Sequence, residues 1–185
     1  MTSYRHEDDA ERRRWQDPEA ILAGIGLAPG SVFVDVGCGD GFFALPAARI
    51  VGPNGRVCGI DIDADALDRL RRTAERDGLA NIRLREGAAE TTILCEGCTD
   101  FVFFGISLHD FSDQQRVLAC ARAMLAPAGL LVNLDWKKET TGPGPPHAKR
   151  FSVEYAAAII RKAGFSLRSV AGAGPYHYIM VAEAA

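Results

Sequence analysis

An acid and three glycines set two residues apart, Asp35-Val36-Gly37-Cys38-Gly39-Asp40-Gly41, close the apolar run Val32-Phe33-Val34. Glycine in such a turn admits positive φ and lets a ligand come against the backbone. If a helix follows at once, its first N–H groups are unpaired and available to an anionic or polar moiety. The arrangement suits a nucleotide-like cofactor lying across the turn. About twenty residues beyond Gly41, Asp61 ends a second apolar run, the distance at which an acid takes ribose hydroxyls with both carboxylate oxygens. The GxGxG spacing departs from the GxGxxG of dinucleotide-binding dehydrogenases, which need no acid two residues before the first glycine. A nicotinamide-dependent oxidoreductase is therefore disfavoured. The plainer readings are a glycine turn without a ligand and Asp61 as a solvated strand-end acid.

Two histidines are candidates for proton transfer. His109, in Leu108-His109-Asp110, follows an apolar run and stands where the C-terminal edge of a sheet is expected. It could act as a base, or it could cap a helix or line a pocket, and the pocket-lining reading is preferred. His177, between Tyr176 and Tyr178, reads equally as facing the same cleft or as a satisfied strand residue. Trp15 and Trp136 can supply apolar walls. Cys95-Glu96-Gly97-Cys98 is a lone pair, too little for a four-ligand zinc site and without thioredoxin-like context, so it reads as unpaired loop thiols and no metal site is expected. Arg12-Arg13-Arg14 reads as a solvated helix face, or as an attractor for an acidic acceptor.

These residues need a scaffold, and the patterning supplies an alternating one. A helix is predicted from Asp17, then a strand over 31–36, a helix over 41–50, a strand over 56–62, and a helix capped by Asp63 that stops before Gly78. Strands follow over 82–86 and 100–104, and Ser112 with Gln115 forms a capping-box pair opening the next helix. A strand over 130–136, a Gly/Pro-rich loop over 140–146, a helix capped by Ser152 and stopped by Gly164, and strands over 165–170 and 176–182 complete the chain. Such alternation predicts an α/β sheet with right-handed crossovers. The last two strands, joined through Gly172-Ala173-Gly174-Pro175, are too close for a crossover and must be antiparallel.

At 185 residues, 48% hydrophobic and 24% charged, the chain has the size and composition of one soluble globular domain. A net charge of −3 gives no long-range attraction to phosphate backbones, so nucleic acid is not the expected partner. No apolar run reaches the roughly 18 residues of a membrane span, and Met1 to Trp15 is too charged for a signal-peptide core, so a cytoplasmic location is expected. The expected organisation is an N-terminal helical segment, 1–30, covering the site, and a cofactor-binding domain, 31–185.

Taken together these residues resemble the S-adenosylmethionine (SAM)-dependent class I methyltransferases, especially the small bacterial and archaeal type similar to ubiquinone and menaquinone biosynthesis methyltransferases. The resemblance runs from Trp15-Gln16-Asp17-Pro18 through 32–48, Gly59-Ile60-Asp61, Leu125-Ala126-Pro127-Ala128-Gly129 and Asp135-Trp136-Lys137-Lys138-Glu139 to Gly174-Pro175-Tyr176-His177-Tyr178. It implies a Rossmann-like, seven-stranded, mostly parallel sheet with an antiparallel last strand and helices on both faces. It implies SAM as cofactor and S-adenosylhomocysteine (SAH) as product; the N-terminal segment and the 140–146 loop are the sizeable excess over that fold, so a small-molecule acceptor is expected between them, and a homodimer is compatible with the reading.

By matching position, Asp35, Gly37, Cys38, Gly39, Asp40 and Gly41 would hold the methionine end. Asp61 with Ile62 would hold the ribose, and Gly87, Ala88, Ala89 and Gly105 would complete the cofactor site. Many relatives carry Gly-Asp-Ala after the third strand, with the acid on adenine. Here Gly87-Ala88-Ala89 leaves Glu90 or a backbone carbonyl to serve, and Pro127-Ala128-Gly129 replaces the usual Pro-Gly-Gly turn. Methyl transfer is driven largely by alignment, so His109 or His177 is needed as a base only where the acceptor must lose a proton. Ala88 motivates an alternative, a SAM-binding sensor or scaffold without catalysis. An arsenite or thiol methyltransferase using Cys95 and Cys98 is less favoured.

Overall fold

The computed structural model describes residues 12–138 and 144–185. The charged start before Arg12 and residues 139–143, which include the first part of the Gly/Pro loop, lie outside the described residues. A short helix, α1 (Pro18–Gly24), opens with Asp17 accepting the Ala20 N–H at 3.0 Å and proline in the first turn, where a missing N–H costs nothing. Then come β1 (Val32–Val36), α2 (Ala44–Val51), β2 (Arg56–Asp61), α3 (Ala64–Arg76) capped by Asp63, β3 (Ile82–Glu86) and β4 (Thr99–Gly105). A single 3-10 turn at Leu108–Asp110 leads to α4 (Gln114–Met124) and β5 (Leu125–Trp136). After a second 3-10 turn, His147–Lys149, the chain ends in α5 (Val153–Lys162), β6 (Phe165–Ala173) and β7 (His177–Ala184).

The seven strands form one sheet in the order β3-β2-β1-β4-β5-β7-β6. The first five pair in parallel, and β7 runs antiparallel to both β5 and β6. The short terminal connection thus forces the reversal that its length predicts. Apolar residues on both faces of β1 and β4 explain why helices cover both sides. One core packs Val34, Val36, Val102 and Phe104 against α4 and α5; the other packs Phe33 and Phe103 with α1, α2 and Leu70 of α3. Each such fully buried side chain contributes about 1.5–3 kcal/mol. Strand order reverses between β1 and β4, and at such a switch point the loops beyond the strand ends part to leave a crevice.

Three local expectations are corrected. The cap of α4 is Asp113, which accepts the Arg116 N–H at 3.0 Å, because the Ser112 hydroxyl is committed to Glu90 and Gln115 reaches the Ile159 carbonyl. Pro127-Ala128-Gly129 lies inside β5 rather than before it: the partners of β4 jump from Leu125 to Leu130, so these residues bulge out of a strand already under way. Cys95 and Cys98 are joined to each other rather than unpaired. Their turn, with Gly97 at φ +62° and bonded to the Ala123 carbonyl, brings their Cα atoms to 6.0 Å, within reach of a bridge. Cys38, Cys58 and Cys120 are free thiols.

Candidate active site

The crevice at the switch point is a cavity of about 260 Å³. Its floor is the turn that follows β1. The Gly37 and Cys38 N–H groups both donate to the Ile60 carbonyl, at 2.8 and 3.1 Å, tying the turn to β2. A side chain at Gly41 would put its Cβ 2.3 Å from Leu70, so that glycine lets α3 pack against the turn. At Gly39, with φ +53°, a Cβ would meet no atom within 4 Å, so this face of the turn stays open. Asp61 holds the turn from β2: Oδ2 accepts the Gly39 N–H at 2.7 Å and Oδ1 accepts the Asp63 N–H at 3.0 Å.

Asp35 lines the cavity although it is only 2% exposed. Burial, and then the negative charge of Asp61, push its carboxyl up to about 7, against the opposing pull of Arg12 and a hydrogen bond from the Ala44 N–H. That bond occupies an otherwise uncapped donor at the start of α2, whose own N-cap, Phe43, offers no side-chain acceptor. Burial beside these acids also keeps Cys38 a thiol.

The opposite wall brings together residues far apart in sequence. At the end of β4, Gly105 and Ile106 line the cavity, and Ile106 holds φ +65°, an uncommon conformation for a β-branched side chain. His109 follows in its 3-10 turn, buried, with Nδ1 at 2.8 Å from Oδ1 of Asp135 on β5. Burial pulls His109 down, but the Asp135 hydrogen bond and charge, with Asp110, outweigh it and raise the imidazole above its ordinary value, against an opposing charge at Lys149. Trp15, Trp136, Phe42 and Phe43 supply apolar walls. Arg12 lines the cavity too, its guanidinium 3.7 Å from the Phe42 ring centre and its Nε donating to Gln16 at 2.7 Å, so it is not part of a solvated face. Arg13 does face outward, paired with Glu19 at 2.8 Å.

His177 sits elsewhere. It is fully buried, its ring 5.2 Å from Trp15 and 4.2 Å from Trp136, with neither nitrogen hydrogen-bonded among the described residues. Burial, helped by the charges of Arg12, Lys137 and Arg150, lowers it to about 3, so it stays neutral and buttresses the aromatic wall from behind.

The sequence profile of the family described as methyltransferase domain matches residues 27–162. The chain belongs to that family. Among relatives of this methyltransferase domain, nocamycin O-methyltransferase of Saccharothrix syringae is 34% identical over 133 residues, covering 72% of this chain and 44% of that one. Demethylmenaquinone methyltransferase of Geobacillus kaustophilus is 28% identical over 129 residues, covering 70% and 55%. The chain thus spans about half the length of these curated relatives. The solved structure of a SAM dependent methyltransferase from Aquifex aeolicus superposes with a TM-score of 0.90 at 26% identity, covering 97% of this chain and all of that one. The fold is the class I methyltransferase fold, whose cofactor is SAM.

The residues present fit that cofactor. The open face at Gly39 leaves room for a ligand against the backbone. Each Asp61 oxygen accepts one backbone N–H, and a carboxylate has about four acceptor sites, so capacity remains for two hydroxyls. Ile62 stands 60% exposed beside Asp61, an apolar surface of the kind a purine face covers. Of the residues singled out from sequence, Asp35, Gly37, Cys38, Gly39, Asp40, Gly105 and His109 line the cavity itself. Asp61, Ile62, Gly87, Ala88 and Ala89 lie beyond it, at and after the ends of β2 and β3, with the Gly87 N–H bonded to the Asp61 carbonyl at 2.9 Å. Glu90 does not take the place of the missing acid freely, since its Oε1 accepts from both the backbone and the hydroxyl of Ser112. Nothing in its own spacing marks Asp135 as a site residue, though Asn133 and Asp135 interrupting the otherwise apolar run Leu130 to Trp136 are a visible sign of buried polar work.

Proposed function

We propose that this methyltransferase domain transfers the methyl group of SAM to a small organic acceptor held in the cavity. The observation that carries the reading is a single cavity shared by two sets of walls. One is the open glycine turn with Asp35, suited to the cofactor; the other is the aromatic and ionisable wall of Trp15, Trp136 and His109. SAM would supply an electrophilic methyl group already activated on sulfur, so the chain has only to align the two partners and exclude water. In this reading Asp35 and residues 37–41 hold the methionine end and Asp61 the ribose, while Ile62, Gly87, Ala88 and Ala89 border the adenine and Gly105 flanks the reacting end. Arg12 and Trp15 bring the described start of the chain over the site. The size of the cavity favours a small molecule over nucleic acid or a folded protein. No helix among the described residues is long and apolar enough to cross a membrane.

Calorimetric titration with SAM, followed by measurement of SAH release with panels of phenols, amines and thiols, tests the proposal. Binding with one-to-one stoichiometry and acceptor-dependent SAH release are expected. A folded chain that ignores SAM would overturn it. One that binds SAM and never releases SAH would favour a sensor.

A further inference from the structure

Resting on that reading, we propose that Asp135 positions His109 as a general base, and that the acceptor is a weakly acidic hydroxyl of the phenol or enol class. The geometry is that of a base and its orienting group. Asp135 is fully buried, and its Oδ1 accepts from both His109 Nδ1 and the Trp136 N–H, each at 2.8 Å. Its Oδ2 has no hydrogen-bond partner among the described residues. An acid left so poorly satisfied in an apolar interior is costly, and a purely structural hydrogen bond could be made more cheaply. With Nδ1 holding its proton toward Asp135, the nitrogen left with a free lone pair is Nε2. Its nearest charged neighbour is Asp110 Oδ2 at 3.5 Å, too long for a strong hydrogen bond, and the ring lines the cavity. The charged groups facing His109 are Asp135 from β5, Asp110 from its own turn, and Lys149 from the second 3-10 turn, which pairs with Asp110 at 3.5 Å. Phe151 packs its ring edge-on at 6.5 Å.

Matching acidity narrows the acceptor class. A neutral amine carries its own lone pair and a carboxylic acid is already ionised at neutral pH, so neither needs a base before attack. An aliphatic alcohol is too weak an acid for an imidazole to help much. A phenolic hydroxyl, at about 10, lies within reach of a histidine whose affinity for protons is raised. The flat walls of Trp15, Trp136, Phe42 and Phe43 fit a planar ring. The balanced step is direct. The hydroxyl proton passes to His109 Nε2, the oxygen pair forms the bond to the methyl carbon, and the carbon–sulfur pair stays on sulfur as SAH leaves. The imidazolium then returns its proton to solvent.

The test begins with histidine NMR of the whole isotope-labelled chain, the His109 signals being assigned with His109→Gln. His109 should be the Nδ1–H tautomer and titrate above ordinary histidine, and Asp135→Asn should abolish both features. If Asp135→Asn does not fold, the wild-type tautomer and titration decide alone. A wild-type His109 that carries its proton on Nε2 overturns the positioning role. Turnover is then measured at about pH 8 with phenol, naphthol and para-nitrophenol, the last largely ionised there without help. His109→Gln should lower turnover of phenol about 100-fold or more, with its KM within about threefold, yet barely slow para-nitrophenol. Equal losses on both overturn the base, and methylation of a small thiol in preference to every phenol overturns the acceptor class, as does a panel of phenols left untouched while SAM binds. Failure of SAM binding in the wild type would instead strike the parent reading, leaving the NMR result standing.

Discussion

Asp61 serves two purposes at one position, bracing the glycine turn through the Gly39 and Asp63 N–H groups while keeping acceptor capacity for a ribose. Asp61→Ala should therefore weaken SAM binding by about 1.5–3 kcal/mol, the range for hydrogen bonds to a charged group. Asp61→Asn, which keeps one acceptor for the turn, should recover part of that loss; calorimetric affinities for the three proteins check the order, and equal affinities would remove Asp61 from the site. Asp61 was legible in the sequence because its meaning is set by a local distance from the glycines. His109 was visible by type alone. Its partner was not, because Asp135 lies 26 residues away and the two meet only through the pairing of β4 with β5. Ile106 gives no sign at all: nothing in Gly105-Ile106-Ser107 announces a β-branched residue at positive φ, a conformation costing on the order of 1–2 kcal/mol that the surrounding fold imposes.

At the scale of elements, the turn between β1 and α2 concentrates the division between stability and binding. Gly41 and Gly39 look alike in sequence, two residues apart in one motif, but their surroundings differ. Gly41→Ala would drive a methyl into Leu70 at a φ of +98°, so a loss of stability of several kcal/mol is expected, read as a lower urea midpoint. Gly39→Ala meets open space in a left-handed well that alanine tolerates at about 1 kcal/mol. It should remain folded and lose SAM affinity at least tenfold, because its methyl projects where the cofactor is proposed to lie. The reverse pattern would show that the turn holds no ligand. The alternation of strands and helices was readable because apolar runs, capping aspartates at 17 and 63, and Ser152 are local signals. The cap of α4 and the course of β5 depart from these local signals because a tertiary partner competes with a local one. Ser112 has the right type for a cap but bonds Glu90, and Pro127-Ala128-Gly129 has the composition of a turn but is carried inside a strand by its neighbour β4.

Over the whole molecule, Asp35 and His177 are buried on different elements around the site and hold protonation states that the unfolded chain does not share. Asp35 is raised from 3.8 to about 7, so between those values the native state keeps a proton that the unfolded state has lost, and stability falls as pH rises through that window. His177 is lowered from 6.5 to about 3, so there the unfolded state binds a proton that the native state refuses, and stability falls as pH falls. Each effect corresponds to about a tenfold change in the unfolding constant per pH unit. Where the windows overlap, from about pH 4 to 6.5, they oppose one another and cancel. Removing either group should unmask the other. Asp35→Asn, which keeps an acceptor for the Ala44 N–H, should lose stability relative to wild type as pH is lowered from 6.5 to about 4. His177→Phe, which keeps a ring between Trp15 and Trp136, should lose it relative to wild type as pH is raised from about 4 to 7. Urea unfolding of the three proteins at fixed ionic strength across that range reads the differences, in which groups common to all cancel. Curves that stay parallel to wild type would mean that these two side chains titrate as they do in the unfolded chain.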